Sequence, residues 1–197
     1  MLSELIDNSR TDKNRDHSYI DLYQRLLVGK KETALNVLEI GIGDNYPQYG
    51  FFNGGSIKLW HDFFTNANVY ALDIKPPDEV WDRIKNNDRI ILYLGTDSYN
   101  EDFFREKFLV KDIKFDFMLD DGPHTLESMK QFIKMYSQVM TDDGILIVED
   151  VQSLGWLEEL KKATPEHLKE YIETYDLRHI KGRYDDIVFV INKSGRK

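Results

Sequence analysis

Four carboxylates and one histidine fall just past the expected ends of two late hydrophobic strands. Phe115-Asp116-Phe117-Met118-Leu119 runs into Asp120-Asp121-Gly122-Pro123-His124, and Ile145-Leu146-Ile147-Val148 runs into Glu149-Asp150. Upstream, Val37-Leu38-Glu39-Ile40 opens into Gly41-Ile42-Gly43, and Val69-Tyr70-Ala71-Leu72 ends on Asp73. Acids gathered at one edge of a buried sheet repel one another and lose hydration. Folding alone gives no reason to collect them. Binding a cationic cofactor and a divalent metal does.

Asp121, Glu149 and Asp150 are hard oxygen ligands of the kind that suits Mg²⁺ or Mn²⁺ in octahedral coordination. The competing explanation is turn chemistry, since Asp-Gly-Pro makes a good turn by itself. Two acidic strand ends favour the metal. His124 follows Asp121 at the start of the next helix, and an imidazole can accept a proton at neutral pH. Beside a metal that acidifies a bound hydroxyl, it is the best general base in the chain. His17, His61, His167 and His179 lack such company, although His17 is a candidate substrate contact.

The cofactor residues come from the earlier strands. Gly41 and Gly43 let the backbone approach a ligand closely, and Asp73 is placed to accept hydrogen bonds from a ribose diol. A third glycine of the dinucleotide fingerprint is missing, because Asn45 and Tyr46 stand there. Glu39 and Asp44 flank the turn, where a pyrophosphate would meet negative charge. S-adenosylmethionine has no phosphate, and its ammonium and sulfonium are cationic. Gly54-Gly55-Ser56 offers donors for its carboxylate, while Asp97, Ser98 and Asp120 are candidates for the rest of the cofactor.

These residues need a sheet to hold them. The 197 residues suit one α/β domain with a sizeable core. Residues 1–16 read as a polar arm and 17–29 as an amphipathic helix. Ser56 can cap a helix that buries Ile57, Trp60, Phe63 and Phe64. Strands are expected at 36–40, 69–73, 90–94, 115–120 and 145–149, with helices at 78–86, 100–108 and 125–139. Such alternation predicts a doubly wound, mostly parallel sheet. A charged helix follows over 154–173, broken near Pro165. Two last apolar runs, 177–180 and 187–191, suggest a C-terminal antiparallel hairpin. The expected whole is a seven-stranded Rossmann-like domain. Tyr46, Tyr49, Phe51 and Phe52 lie in an aromatic loop that is either a sugar-stacking lid or core.

Composition narrows the partners. The net charge of −9 disfavours nucleic acid. No stretch approaches about 20 uninterrupted apolar residues, so no membrane span is expected. The chain has no cysteine and no secretory leader pattern, which fits a reducing, cytoplasmic compartment.

Val37 to Gly43, Gly54 to Trp60, Leu72-Asp73-Ile74, Leu119 to His124 and Val148-Glu149-Asp150 together resemble the macrocin and mycinamicin sugar O-methyltransferases. Thr11-Asp12-Lys13 with His17 and Tyr19 is similar to that family's N-terminal signature. The resemblance implies a class I fold, S-adenosylmethionine and a divalent metal, with a deoxysugar hydroxyl such as one on rhamnose as acceptor. It implies Asp121, Glu149 and Asp150 as metal ligands and His124 as base. Pro123 departs from the more usual Ser, and some members carry an additional N-terminal domain. The size also fits a methyltransferase module of a larger glycan-assembly protein, and a homo-oligomer is open. The rival expectations are a catechol-type O-methyltransferase, an NAD-dependent dehydrogenase and a non-catalytic binding domain.

Overall fold

A computed structural model of the chain describes residues 1–43 and 53–195. The lid candidates Tyr46, Tyr49, Phe51 and Phe52, with Asp44, lie outside the described residues. The strands are β1 (Asn36–Ile40), β2 (Asn68–Asp73), β3 (Ile90–Leu94), β4 (Phe115–Asp120), β5 (Met140–Val148), β6 (Ile172–Asp176) and β7 (Ile187–Asn192). They form a seven-stranded sheet in the order β3-β2-β1-β4-β5-β7-β6. The first five pair in parallel, and β7 runs antiparallel to both β5 and β6.

The helices are α1 (Leu2–Leu5), α2 (Ile20–Leu27), α3 (Gly55–Phe63), α4 (Asp82–Lys85), α5 (Glu101–Phe104), α6 (Leu126–Tyr136), α7 (Leu154–Ala163) and α8 (Arg178–Lys181). Side chains alternate across each strand, so the sheet divides the core in two. Val37, Val69, Phe117, Ile145 and Val190 face a cluster that includes Tyr23 and Trp60 from α2 and α3. Leu38, Tyr70, Met118, Leu146 and Phe189 face the other, which includes Phe132 and Tyr136 of α6. Both faces are covered, as parallel sheets require.

Three expectations change. Residues 1–16 are no projecting arm: Leu2, Thr11 and Lys13 are buried. The expected cap at Ser56 is replaced by Gly54, whose φ of +76 turns the chain into α3. The run at 177–180 is not a strand. Leu177 and Ile180 are three apart, a helical spacing, and α8 forms there. The hairpin partner of β7 is β6, where Ile172, Thr174 and Tyr175 supply the β-favouring residues.

Candidate active site

The chain runs outward from β1 to β3 and then returns to β4, so strand order reverses beside β1. Open α/β sheets bind ligands at such a point, beyond the carboxyl ends of the strands. A cavity of about 360 Å³ opens there. Of the residues singled out by sequence, Gly41, Gly43, Ser56, Asp73, Asp97, Ser98, Asp121 and His124 line it. Arg10, Thr11 and Asp12 line it too, brought in by the folded N-terminal segment.

Asp73 Oδ2 accepts a hydrogen bond from the Ile42 amide at 2.7 Å, and Oδ1 accepts one from the Lys75 amide at 2.9 Å. These bonds fix the carboxylate while each oxygen keeps capacity for a ligand hydroxyl. Gly41 has a φ of +95, and a Cβ there would collide with the Asp121 carbonyl oxygen. Its glycine therefore serves the close approach of the β1 and β4 ends as well as any ligand. Gly43 is also left-handed, at φ +118. Arg10, whose guanidinium lies 4.6 Å from the Trp81 ring centroid, brings positive charge to the cavity lining. A carboxylate for a diol and a cation for an acid group fit S-adenosylmethionine.

The acids behind the cavity hold a cation already. Lys13 is 1% exposed, and its Nζ donates to Asp121 Oδ2 at 2.6 Å and to Glu149 Oε1, with Glu39 Oε1 at 3.7 Å. Burial would depress the ammonium pKa, but the surrounding acids outweigh it and keep Lys13 charged. One ammonium cannot balance three carboxylates equally. Asp121 falls well below the ordinary range: burial opposes this, but Lys13 and His124 outweigh it. Glu39 is pushed up to about 7 and Glu149 is raised well above its usual value, in both cases chiefly by burial.

Strand parity explains where Glu39 goes. It shares a face with Val37, under α3. There it accepts hydrogen bonds from Ser56 Oγ at 2.6 Å and from the Trp60 indole N–H. Glu39, expected at the cofactor, is fully buried as an anchor for α3 and is not among the residues that line the cavity. Ser56 reaches the cavity, but its hydroxyl is engaged by Glu39. Asp120 likewise turns inward, accepting from the Tyr99 hydroxyl, and burial raises its carboxyl to about 7.

His124 Nε2 stands 3.1 Å from Asp121 Oδ1 and 3.3 Å from Asp150 Oδ2. One ligand atom from each of these three residues falls within 4.8 Å of the others. Two carboxylates and an imidazole at this spacing fit a divalent ion. Glu149 is not in the group, because Lys13 and the Tyr23 hydroxyl hold its carboxylate. Of the expected trio, Asp121 and Asp150 fall in this group with His124, while Glu149 lies behind them against Lys13 and Tyr23. Burial would depress the His124 imidazole, but the adjacent acids outweigh it and raise it to about 9. His124 and Asp150 both adopt positive φ, +51 and +55. Such backbone costs about 1–3 kcal/mol per residue and is concentrated at functional sites.

A stacked ladder supports the group. Tyr19 donates to Asp150 Oδ1 at 2.5 Å and stacks on His17 and Tyr23. His17, expected as a substrate contact, is instead buried against Asp186, 2.7 Å from Nδ1 to Oδ1. Sequence reasoning assigned no role to Lys13, Tyr23 or Tyr99. The helical spacing of Tyr19 and Tyr23 was the available signal for part of this set. Lys13 is marked only as part of the Thr11-Asp12-Lys13 signature, and its polar surroundings give no sign that it is buried.

This strand order and cavity are those of the class I S-adenosylmethionine methyltransferase fold. The MycE methyltransferase of the mycinamycin biosynthetic pathway, solved with Mg and SAH, superposes with a TM-score of 0.71 at 23% identity, covering 100% of this chain and 56% of that one. The fold alone is broad: a Methanococcus jannaschii fibrillarin, a pre-rRNA processing protein, matches with a TM-score of 0.56 at 15% identity, over 85% of this chain and 70% of its own. Sequence is more selective. The chain is 25% identical over 141 residues to mycinamicin VI 2''-O-methyltransferase of Micromonospora griseorubida, covering 71% of this chain and 33% of the relative. It is 27% identical over 157 residues to demethylmacrocin O-methyltransferase of Streptomyces fradiae, covering 79% and 37%. The chain thus resembles the macrocin and mycinamicin sugar O-methyltransferases and spans about a third of the length of these curated relatives. No family model matches it.

Proposed function

We propose that this chain transfers a methyl group from S-adenosylmethionine to a hydroxyl of a sugar, assisted by Mg²⁺ or Mn²⁺. The observation that carries the reading is the Asp121, His124 and Asp150 group, within 4.8 Å, beside a cavity edged by Asp73. Likeness to sugar O-methyltransferases supports a glycoside acceptor, with a deoxyhexose such as rhamnose as the first candidate.

Asp73 holds the ribose diol of the cofactor, and Arg10 faces its carboxylate end. Asp121 and Asp150 hold the metal. When bound, the cofactor supplies an electrophilic methyl and the ion a Lewis acid for the acceptor oxygen. With a bound divalent ion offsetting the carboxylates that raise the imidazole, His124 Nε2 takes the hydroxyl proton as that oxygen bonds to the methyl carbon and the carbon–sulfur bond breaks, releasing S-adenosylhomocysteine. The flanking carboxylates stabilise the resulting imidazolium. Lys13 fixes the orientation of Asp121 from behind. The cysteine-free chain suits a cytoplasmic setting.

The test is incubation with S-adenosylmethionine, Mn²⁺ and a panel of rhamnosides and catechols, read by mass spectrometry. Methylated glycoside that disappears with EDTA supports the reading. Methylation confined to catechols, or undiminished in chelator, overturns it.

A further inference from the structure

A second group of ligand-type atoms lies next to the first. It comprises His17, from the segment before α2, and Asp185 and Asp186, just before β7. One ligand atom from each falls within 4.8 Å of the others, and all three residues are buried. The two groups touch where His17 Nδ1 comes within 3.4 Å of Asp150 Oδ1.

The hydrogen bonds here do not use up the acceptors. Asp186 Oδ1 takes the His17 contact, but Asp186 Oδ2 is buried with no hydrogen-bond partner among the described residues. The Asp186 side chain is 0% exposed. Asp185 Oδ1 is also buried without a hydrogen-bond partner, with Arg183 Nε at 3.4 Å as a longer ion-pair contact. Buried carboxylate oxygens without donors are costly and call for a specific explanation. Two on successive residues, beside one imidazole, point to a ligand that supplies positive charge and accepts lone pairs. A proton satisfies one oxygen, whereas a divalent ion between the two side chains can engage both carboxylates.

We propose that His17, Asp185 and Asp186 form a second divalent-cation site, distinct from the Asp121, His124 and Asp150 group. Imidazole with carboxylates suits a first-row ion such as Mn²⁺ better than Ca²⁺. Coordination through His17 Nδ1 leaves the ring proton on Nε2, facing Asp12 Oδ2 at 3.8 Å. That contact is too long for a hydrogen bond and places Asp12 as a neighbouring charge on the outer side of the ring. The ion would pin the N-terminal segment to the β7 strand and so hold Tyr19, whose hydroxyl binds Asp150. Nothing in this depends on the transferase reading.

The experiment titrates the whole chain with Mn²⁺, counting bound ions by the loss of the free-ion EPR signal. Wild type is expected to bind two ions per chain, one for each group. Asp185→Asn, which preserves shape, and His17→Gln are each expected to bind one, while Asp121→Asn keeps the ion at the second site. Asp185→Asn carries the test if His17→Gln fails to fold, as checked by circular dichroism. A single ion lost in Asp185→Asn but kept in Asp121→Asn also supports the site. The proposal is overturned by no binding, by a single ion lost only in Asp121→Asn, or by a count that Asp185→Asn leaves unchanged.

Discussion

Lys13 Nζ lies 2.6 Å from Asp121 Oδ2 although 108 positions separate the two residues. The ammonium neutralises the inner side of the acid cluster and leaves Asp121 Oδ1 for His124. Charge from the N-terminal segment thereby engages Glu149 and one side of Asp121. Glu149 is drawn inward, and Asp121 and Asp150 remain beside the imidazole.

Replacing Lys13 with Met should be among the most damaging single changes. Removing one partner of a buried ion pair leaves uncompensated charge and costs about 3–5 kcal/mol. That is a large share of a typical total stability of about 5–15 kcal/mol. Urea denaturation at neutral pH measures it. A loss below about 1 kcal/mol would mean that the acids do not depend on this ammonium.

Glu39 gives stability a pH dependence of known sign. Its folded pKa is about 7 against an ordinary 4.5, so the folded state binds the extra proton between these values. The contribution is fully present below about 4.5 and is lost as pH rises through about 7. Glu39→Gln keeps acceptor capacity toward Ser56 and Trp60 but cannot ionise. The stability difference, wild type minus variant, should fall across this window in urea titrations. A flat difference would show that Glu39 is ionised throughout.

Asp73→Ala should weaken S-adenosylmethionine binding by about 10- to 100-fold, the loss of charge-assisted hydrogen bonds. Isothermal calorimetry measures it. The variant also frees the Ile42 and Lys75 amides, so Asp73→Asn, which retains an acceptor, should lose less. Equal affinity in all three proteins would remove Asp73 from the cofactor site.

His124→Ala should lower kcat by about 10²–10⁴ while leaving cofactor affinity nearly unchanged. Steady-state kinetics with calorimetry separates the two effects. Because His124 also sits among the ligand-type atoms, Mn²⁺ affinity is measured alongside. A base role leaves metal binding intact; loss of the ion would make His124 a ligand.

The alternating hydrophobic runs made the parallel sheet and its acidic carboxyl edge legible in the sequence. Strand propensity and helical spacing are local properties, so Asp73 at the end of β2, and Asp97, Asp121 and His124 just past the ends of β3 and β4, keep those places wherever the chain travels. Legibility failed where a partner came from far away. The partners that bury Glu39 and Glu149 are not legible, although both residues are legible as acids near strand ends. Their direction depends on Lys13, Tyr23, Ser56 and Trp60, which reach them from α2, α3 and the segment before α2. Residues 1–16 read as an arm because they are polar, yet they contribute Lys13 to the core and Arg10 to the cavity wall. Composition sets the number of charges, but only tertiary packing chooses which are buried and which opposite charge meets each one. Coulomb attraction in a low-dielectric interior acts on distance through space and not along the chain.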